Sequence, residues 1–190
     1  MKYLVIYAHP NPKSFNHAIK EAVEDNLKKA GATVVTRDLY ALGFDPVLVS
    51  KDFVAMSKKE QQPDVATEQK YVKDADKLII IHPIWWFGQP AILKGYIDRV
   101  FSKGFAYDYT DKGPVGLLNT KKVIILNTTG GPADNYEKFG FNTGLKATMD
   151  IGTYGFCGLT VEAHKFFYAI PTSSEAERKK ILEDIGTMKF

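Results

Sequence analysis

Three short segments of this chain concentrate residues able to grip a flat, phosphorylated ligand. The first is Ala8-His9-Pro10-Asn11-Pro12-Lys13-Ser14-Phe15-Asn16. His9, Ser14 and Asn16 supply donors, and a helix starting after Ser14 would add free N–H groups and the positive end of its dipole, a setting for phosphate. No Gly-x-Gly-x-x-Gly and no Walker A pattern occurs here, which argues against a dinucleotide Rossmann domain and a P-loop NTPase. A plainer reading of Ser14 as a simple N-cap stands beside this one. The second segment, His82-Pro83-Ile84-Trp85-Trp86-Phe87-Gly88-Gln89-Pro90, is a proline-bounded loop of flat apolar surface, of the kind an isoalloxazine ring needs. The alternative is that Trp85 and Trp86 plug a sheet edge. In the third, Asn127-Thr128-Thr129-Gly130-Gly131, two glycines let backbone N–H groups approach the edge of a ring where negative charge builds on reduction. A Gly-Gly pair alone is more often just a turn.

The elements around these loops decide whether they meet. Strands are predicted at Lys2–Ala8, Thr33–Asp38, Lys77–His82, Val123–Asn127 and Thr160–Phe167, with a short apolar run in the first and a continuous one, Leu78-Ile79-Ile80-Ile81, in the clearest. Such runs suit strands covered on both faces, hence a parallel sheet. Phe15, Ala18, Ile19, Ala22, Val23 and Leu27 form a helical stripe between Ser14 and a Gly31 stop. Further helices are expected over Asp64–Ala75, Ala91–Phe101 and Leu145–Phe156, and after a Ser174/Glu177 capping box. Tyr40 to Gln62 reads as a long excursion, part of it short helix or functional loop. This alternation predicts an α/β, three-layer, doubly wound sheet of five parallel strands in the order 2-1-3-4-5, one domain over 1–190. In that topology all three loops lie at the carboxyl end of the sheet, so their joint reading is stronger than any one of them.

Composition narrows the class. A chain of 190 residues with 45% hydrophobic and 25% charged residues suits a globular protein, and a net charge of +3 is too weak to argue for nucleic acid. The single cysteine, Cys157, makes no internal disulfide, and no apolar run approaches membrane-spanning length. A cytoplasmic protein without membrane insertion is expected. His17 and His164 lack metal-ligand spacing and read as packed or solvated; no metal is expected. Lys121-Lys122 reads as a solvated pair.

Several segments together resemble the NAD(P)H:quinone oxidoreductase family, the DT-diaphorase type of the flavodoxin-like fold. They are Lys13-Ser14-Phe15-Asn16, the run Trp86-Phe87-Gly88-Gln89-Pro90-Ala91-Ile92-Leu93-Lys94-Gly95, Asp98-Arg99-Val100-Phe101, Gly104-Phe105-Ala106-Tyr107 and Thr128-Thr129-Gly130-Gly131. The resemblance implies two-electron reduction of a quinone-like acceptor, or a nitro or azo compound, by NAD(P)H through a bound flavin. It implies that His9, Ser14, Phe15 and Asn16 hold flavin phosphates. Pro83, Ile84, Trp85, Trp86 and Phe87 would line the ring, while Thr128, Thr129, Gly130 and Gly131 bond its edge. Tyr136, with Gly130 and Gly131, would steady the reduced ring. Trp86, Phe87, Tyr107, Tyr109 and Asn142 would border the acceptor pocket, across the interface of a homodimer. Ile170 and Arg178 match positions at the adenine end of FAD and favour FAD, with FMN the other choice. Larger members carry a histidine where this chain has Asn142, which cannot titrate near neutrality. A flavodoxin-type electron carrier and a flavin-binding regulatory subunit of a membrane transporter are the rival expectations.

Overall fold

The computed structural model describes residues 1–190. Strands β1 (Lys2–Tyr7), β2 (Thr33–Asp38) and β3 (Lys77–Pro83) alternate with helices α1 (Phe15–Lys29), α2 (Ser50–Ser57) and α3 (Pro63–Asp74). After α4 (Ala91–Val100), β4 (Tyr107–Thr110) and β5 (Gly113–Gly116) form a separate antiparallel hairpin. Then come β6 (Lys122–Thr128), α5 (Ala133–Lys138), α6 (Phe141–Lys146), a π-helix at Ala147–Gly155, β7 (Thr160–Phe167), a 3-10 turn at Ile170–Thr172 and α7 (Glu175–Gly186). The main sheet is parallel throughout, in the order β2-β1-β3-β6-β7. With the hairpin set aside, this is the expected 2-1-3-4-5.

Alternation along the strands splits the core in two. Leu4, Ile6, Leu78, Ile80, Val123 and Ile125 face α3, α4 and the π-helix. Val5, Tyr7, Ile79, Ile81, Ile124 and Leu126 face α1 and α7. Covering both faces explains why β3 is buried along its whole length and reads as unbroken hydrophobicity. Ser14 caps α1 by accepting the His17 N–H at 3.2 Å. At the other end Gly31 takes φ +73 while Ala32 N–H reaches Leu27 O, so the chain leaves the helix where only glycine turns without strain. Ser174 and Glu177 form the capping box of α7.

The short helix expected within the Tyr40–Gln62 excursion is α2, pinned by the buried Arg99 on α4, whose guanidinium bonds Asp52, Asp64 and the Asp45 carbonyl. Three other expectations change. The β4–β5 hairpin had no counterpart in the predicted elements. The expected helix over Leu145–Phe156 is α-helical only to Lys146 and then π-helical. Lys121 is not a free solvated residue: its Nζ bonds the Lys73 and Ala75 carbonyls at 2.7 and 2.6 Å and closes the C-terminus of α3. Lys122 does meet the expected exposure, paired with Glu162. No helix is long and apolar enough to cross a membrane.

Candidate active site

The three loops do converge. The Ala8 N–H bonds Ile81 O, and the His9 and Trp85 rings lie 5.6 Å apart. Asn16, the second residue of α1, is buried and donates to Thr128 Oγ1 at 2.7 Å. The Ile84 N–H bonds Thr128 O at 2.8 Å. One crevice therefore opens at the carboxyl ends of β1, β3 and β6, where a doubly wound sheet reverses its strand order.

Its middle wall is strained. Trp86 and Phe87 have φ +49 and +53. Trp85 and Gly88 bond each other reciprocally, N to O, at 3.1 and 3.0 Å. This is a two-residue turn of the primed kind, which ordinarily selects Asn-Gly because a Cβ clashes at positive φ. Two bulky aromatics occupy it instead, and Trp86 is 99% exposed. Nothing in packing rewards that arrangement for Trp86. Phe87 is partly covered, 4.0 Å from the Phe141 ring and 5.9 Å from Tyr136. Trp86 therefore does not plug a sheet edge.

The third wall runs from Thr128 to Gly131. The Thr129 N–H bonds Phe167 O, and its Oγ1 donates to Gly131 O at 2.8 Å. A Cβ on Gly130 would meet nothing within 4 Å, whereas one on Gly131 would stand 3.3 Å from the Tyr136 ring. Tyr136 is not a loop residue at the surface but a buried member of α5, packed on Phe87, Phe141 and Tyr168. Burial raises its hydroxyl above the ordinary tyrosine value, so it stays protonated at neutral pH and can donate. The Tyr168 hydroxyl donates to Asn142 Oδ1 at 2.9 Å, which places Asn142 beside this cluster. Phe141 and Tyr168 were not anticipated. They follow a glycine and end a strand, positions whose neighbours only tertiary structure reveals.

The other expected residues separate into those the crevice gathers and those it does not. His9 Nδ1 accepts from the Asn11 N–H at 3.0 Å, so the ring proton sits on Nε2, and burial lowers its basicity. Phe15 and Ser14 flank Asn16 at the start of α1. Ile170 joins through its N–H to Thr129 O. Arg178 stays on α7, its guanidinium on the Ser173 carbonyl. Tyr107 lies apart: it packs on Tyr109 and Phe156 and lines a cavity of about 1010 Å³ between α2 and the segment before β4. Neither Tyr107 nor Tyr109 makes ring contact with Trp86 or Phe87 within one chain. No group of His, Cys, Asp and Glu with metal-binding geometry occurs.

The fold model of the flavodoxin-like fold matches residues 1–188. A ribosyldihydronicotinamide dehydrogenase (quinone) from Homo sapiens is 37% identical over 94% of this chain and 86% of that protein. An NAD(P)H dehydrogenase (quinone) 1 from Cavia porcellus is 39% identical over 94% of this chain and 72% of that protein. The chain belongs to the NAD(P)H:quinone oxidoreductase family. A solved family member, the NAD(P)H:quinone oxidoreductase from Methanothermobacter marburgensis, superposes with TM-score 0.89 at 26% identity, covering 98% of this chain and 95% of that one.

Chemically, the crevice is lined with donors that have no partner in the chain. The N–H groups of Phe15 and Asn16 in the first turn of α1, of Trp86 and Phe87 in the strained turn, and of Gly130 and Gly131 are all unbonded. Asn16 Oδ1 is buried and likewise unpartnered. Unpaired polar groups cost free energy unless a ligand or water completes them. Their spread, from a helix N-terminus past an aromatic wall to a glycine pair, fits a ligand with an anionic tail and a flat polar-edged ring.

Proposed function

We propose that this chain is a flavin-dependent NAD(P)H:quinone oxidoreductase. The observation that carries the reading is the Trp86–Phe87 turn: two aromatics at positive φ, one fully exposed, between loops of unbonded N–H groups. Strain and exposure of this kind are retained where the molecule uses them.

The first turn of α1, with His9, Ser14, Phe15 and Asn16, would hold the phosphate end, through free N–H groups and the helix dipole. Pro83 to Phe87 would cover the ring, and Thr128 to Gly131 would bond its pyrimidine edge. A flavin bound there supplies reversible two-electron hydride chemistry. The chain's own share is placement and electrostatics. Gly130 and Gly131 would offer N–H groups to the edge where charge builds, and the protonated Tyr136 hydroxyl would add a further donor. Trp86, Phe87 and Asn142 would border the pocket in which NAD(P)H and then the acceptor reach the open side of the ring. Nitro and azo compounds are acceptors of the same chemistry.

A homodimer suits the surface. Tyr109, Val115, Leu117, Ile151 and Phe156 are exposed apolar residues on the hairpin and the π-helix, which pack together at Gly116 and Gly158. A second copy covering them would bring Tyr107 and Tyr109 to its partner's acceptor pocket. Ile170 and Arg178 favour FAD over FMN, and the protein would work in the cytoplasm. The test is the absorbance spectrum and mass of the ligand released on denaturation, with NAD(P)H consumption by the purified protein and a soluble quinone. A colourless protein that takes up neither FAD nor FMN overturns the reading.

A further inference from the structure

Below the crevice floor a run of hydrogen bonds crosses three strands. Asp150 Oδ1 lies 2.6 Å from His164 Nδ1, and His164 Nε2 lies 2.6 Å from Asn127 Oδ1. Asn127 Nδ2 is 2.9 Å from His82 Nε2, and His82 Nδ1 is 2.9 Å from the Pro83 carbonyl oxygen. His82 and Asn127 are register partners on β3 and β6. Each directly precedes a crevice residue, Pro83 or Thr128. His82 and Asn127 are fully buried. At the far end Asp150, on the π-helix, keeps 18% of its side chain open to water.

The donors and acceptors along this run are not free to be assigned at will. Asn127 Nδ2 also donates to the His82 carbonyl at 3.2 Å. A carbonyl only accepts, so the amide is held with Oδ1 toward His164. His164 then stands between two acceptors, a carboxylate and an amide oxygen. A neutral imidazole has one N–H, so bonding both takes the imidazolium. Without that extra proton the remaining N–H stays with the Asp150 carboxylate, and His164 Nε2 becomes an acceptor. Asn127 must turn over to meet it, giving up its Nδ2 bond to the His82 carbonyl. Its Oδ1 then faces His82 Nε2, which takes the ring proton, and Nδ1 loses its bond to Pro83.

We propose that His164 and Asp150 form a proton-controlled latch whose positioning action, passed through Asn127 and His82, holds or releases the Pro83–Gly88 turn. With the proton bound, His82 ties down the Pro83 carbonyl; without it the tie is lost. The proton comes from water at the exposed edge of Asp150 and returns there, and along the run only hydrogen bonds are exchanged. The titratable and charged groups facing His164 are Asp150 on the π-helix, Lys146 on α6 and His82 on β3; Tyr154, on the π-helix, faces Asp150. Burial and Lys146 lower the basicity of His164 and Asp150 opposes them, so the change falls on the acid side of the ordinary histidine value. His82 stays neutral until about 4, so over the latch's range it exchanges tautomers without charging.

Ring-nitrogen NMR of the full-length protein, labelled at histidine and titrated between about pH 5 and about pH 8, tests the latch. His164 should lose its second ring proton as pH rises, and His82 should pass its proton from Nδ1 to Nε2 at the same midpoint. In Asp150→Asn the new amide can donate to His164 Nδ1, so a neutral His164 satisfies Asn127. His82 should then hold the Nδ1–H form throughout. A His82 that keeps one tautomer across the wild-type titration overturns the proposal, and so does an Asp150→Asn protein that titrates like wild type. If that variant does not fold, the wild-type titration decides alone. The link to turnover rests on the quinone-reductase reading. The quinone KM should rise with pH through the same midpoint and be flat in Asp150→Asn, with kcat moving less. A flat wild-type KM removes the positioning role. Absence of quinone turnover removes the enzymatic reading and leaves the NMR result to decide the latch.

Discussion

Replacing Trp86 by asparagine separates what the crevice costs the fold from what it gives the function. Trp86 sits at φ +49 with 99% of its surface exposed. Its removal therefore forfeits almost no packing. Asparagine tolerates the left-handed region, which costs other side chains about 1–2 kcal/mol. Trp86→Asn should stabilise the ligand-free protein by about 1 kcal/mol, or about 2–4 °C in Tm for a domain of this size. The same change should weaken whatever stacks on this wall. A tryptophan offers about 150–250 Å², and covering half of it removes about 100 Å² from water. At about 25 cal/mol per Å² that is about 2.5 kcal/mol, or about 70-fold in affinity. The assay pairs thermal unfolding of flavin-stripped protein with flavin and quinone titrations. Stripping is essential, since ligand lost by mass action would itself lower Tm. A variant clearly less stable than wild type would show that Trp86 is held by packing. Unchanged affinities would show that the wall binds nothing. Either result refutes the reasoning.

Three further outcomes follow from other parts of the molecule. Gly95→Ala would place a Cβ 2.1 Å from Pro46 O and 2.4 Å from Pro46 Cβ; because that obstacle is backbone, about 3 kcal/mol or more of stability should be lost, seen as a lower urea midpoint. Tyr136→Phe keeps the ring contacts with Phe87, Phe141 and Tyr168 but removes the donor, so stability should hold while the reductive rate in stopped flow falls by about 10²-fold. Acid should destabilise the fold through His82, whose burial lowers it from 6.5 to about 4. The unfolded chain binds that proton first, so stability falls as pH drops below about 6.5 and the loss reaches about 3 kcal/mol near pH 4. Chemical denaturation across that range should lose this component in His82→Leu.

What the chain discloses without coordinates depends on how local the cause is. The central strands were legible as apolar runs, Leu78-Ile79-Ile80-Ile81 above all, and the strand order followed from alternation with helices. The loops were legible because they stand where such a sheet must open. The hairpin was not, because β4 and β5 have four residues each and are joined at Asp111-Lys112, without the Asn-Gly signal of a tight turn. The π-helix was not, because Gly152 and Gly155 read as weak points of an α-helix, whereas a Cβ on Gly155 would stand 2.8 Å from Asp150 O. The strain of Trp86 and Phe87 was invisible for the opposite reason: aromatics are residues one does not expect at positive φ. His164 was read as packed or solvated, and it is packed. Its meaning lies in Asp150, fourteen positions earlier on another element, and in Asn127 and His82, polar residues ending otherwise apolar strands. Two polar residues in register at the carboxyl ends of adjacent buried strands must satisfy each other or leave a polar group unpaired. That demand follows from the strand pattern itself. It is the one signal by which the buried run below the crevice could be sought in a sequence before any coordinates exist.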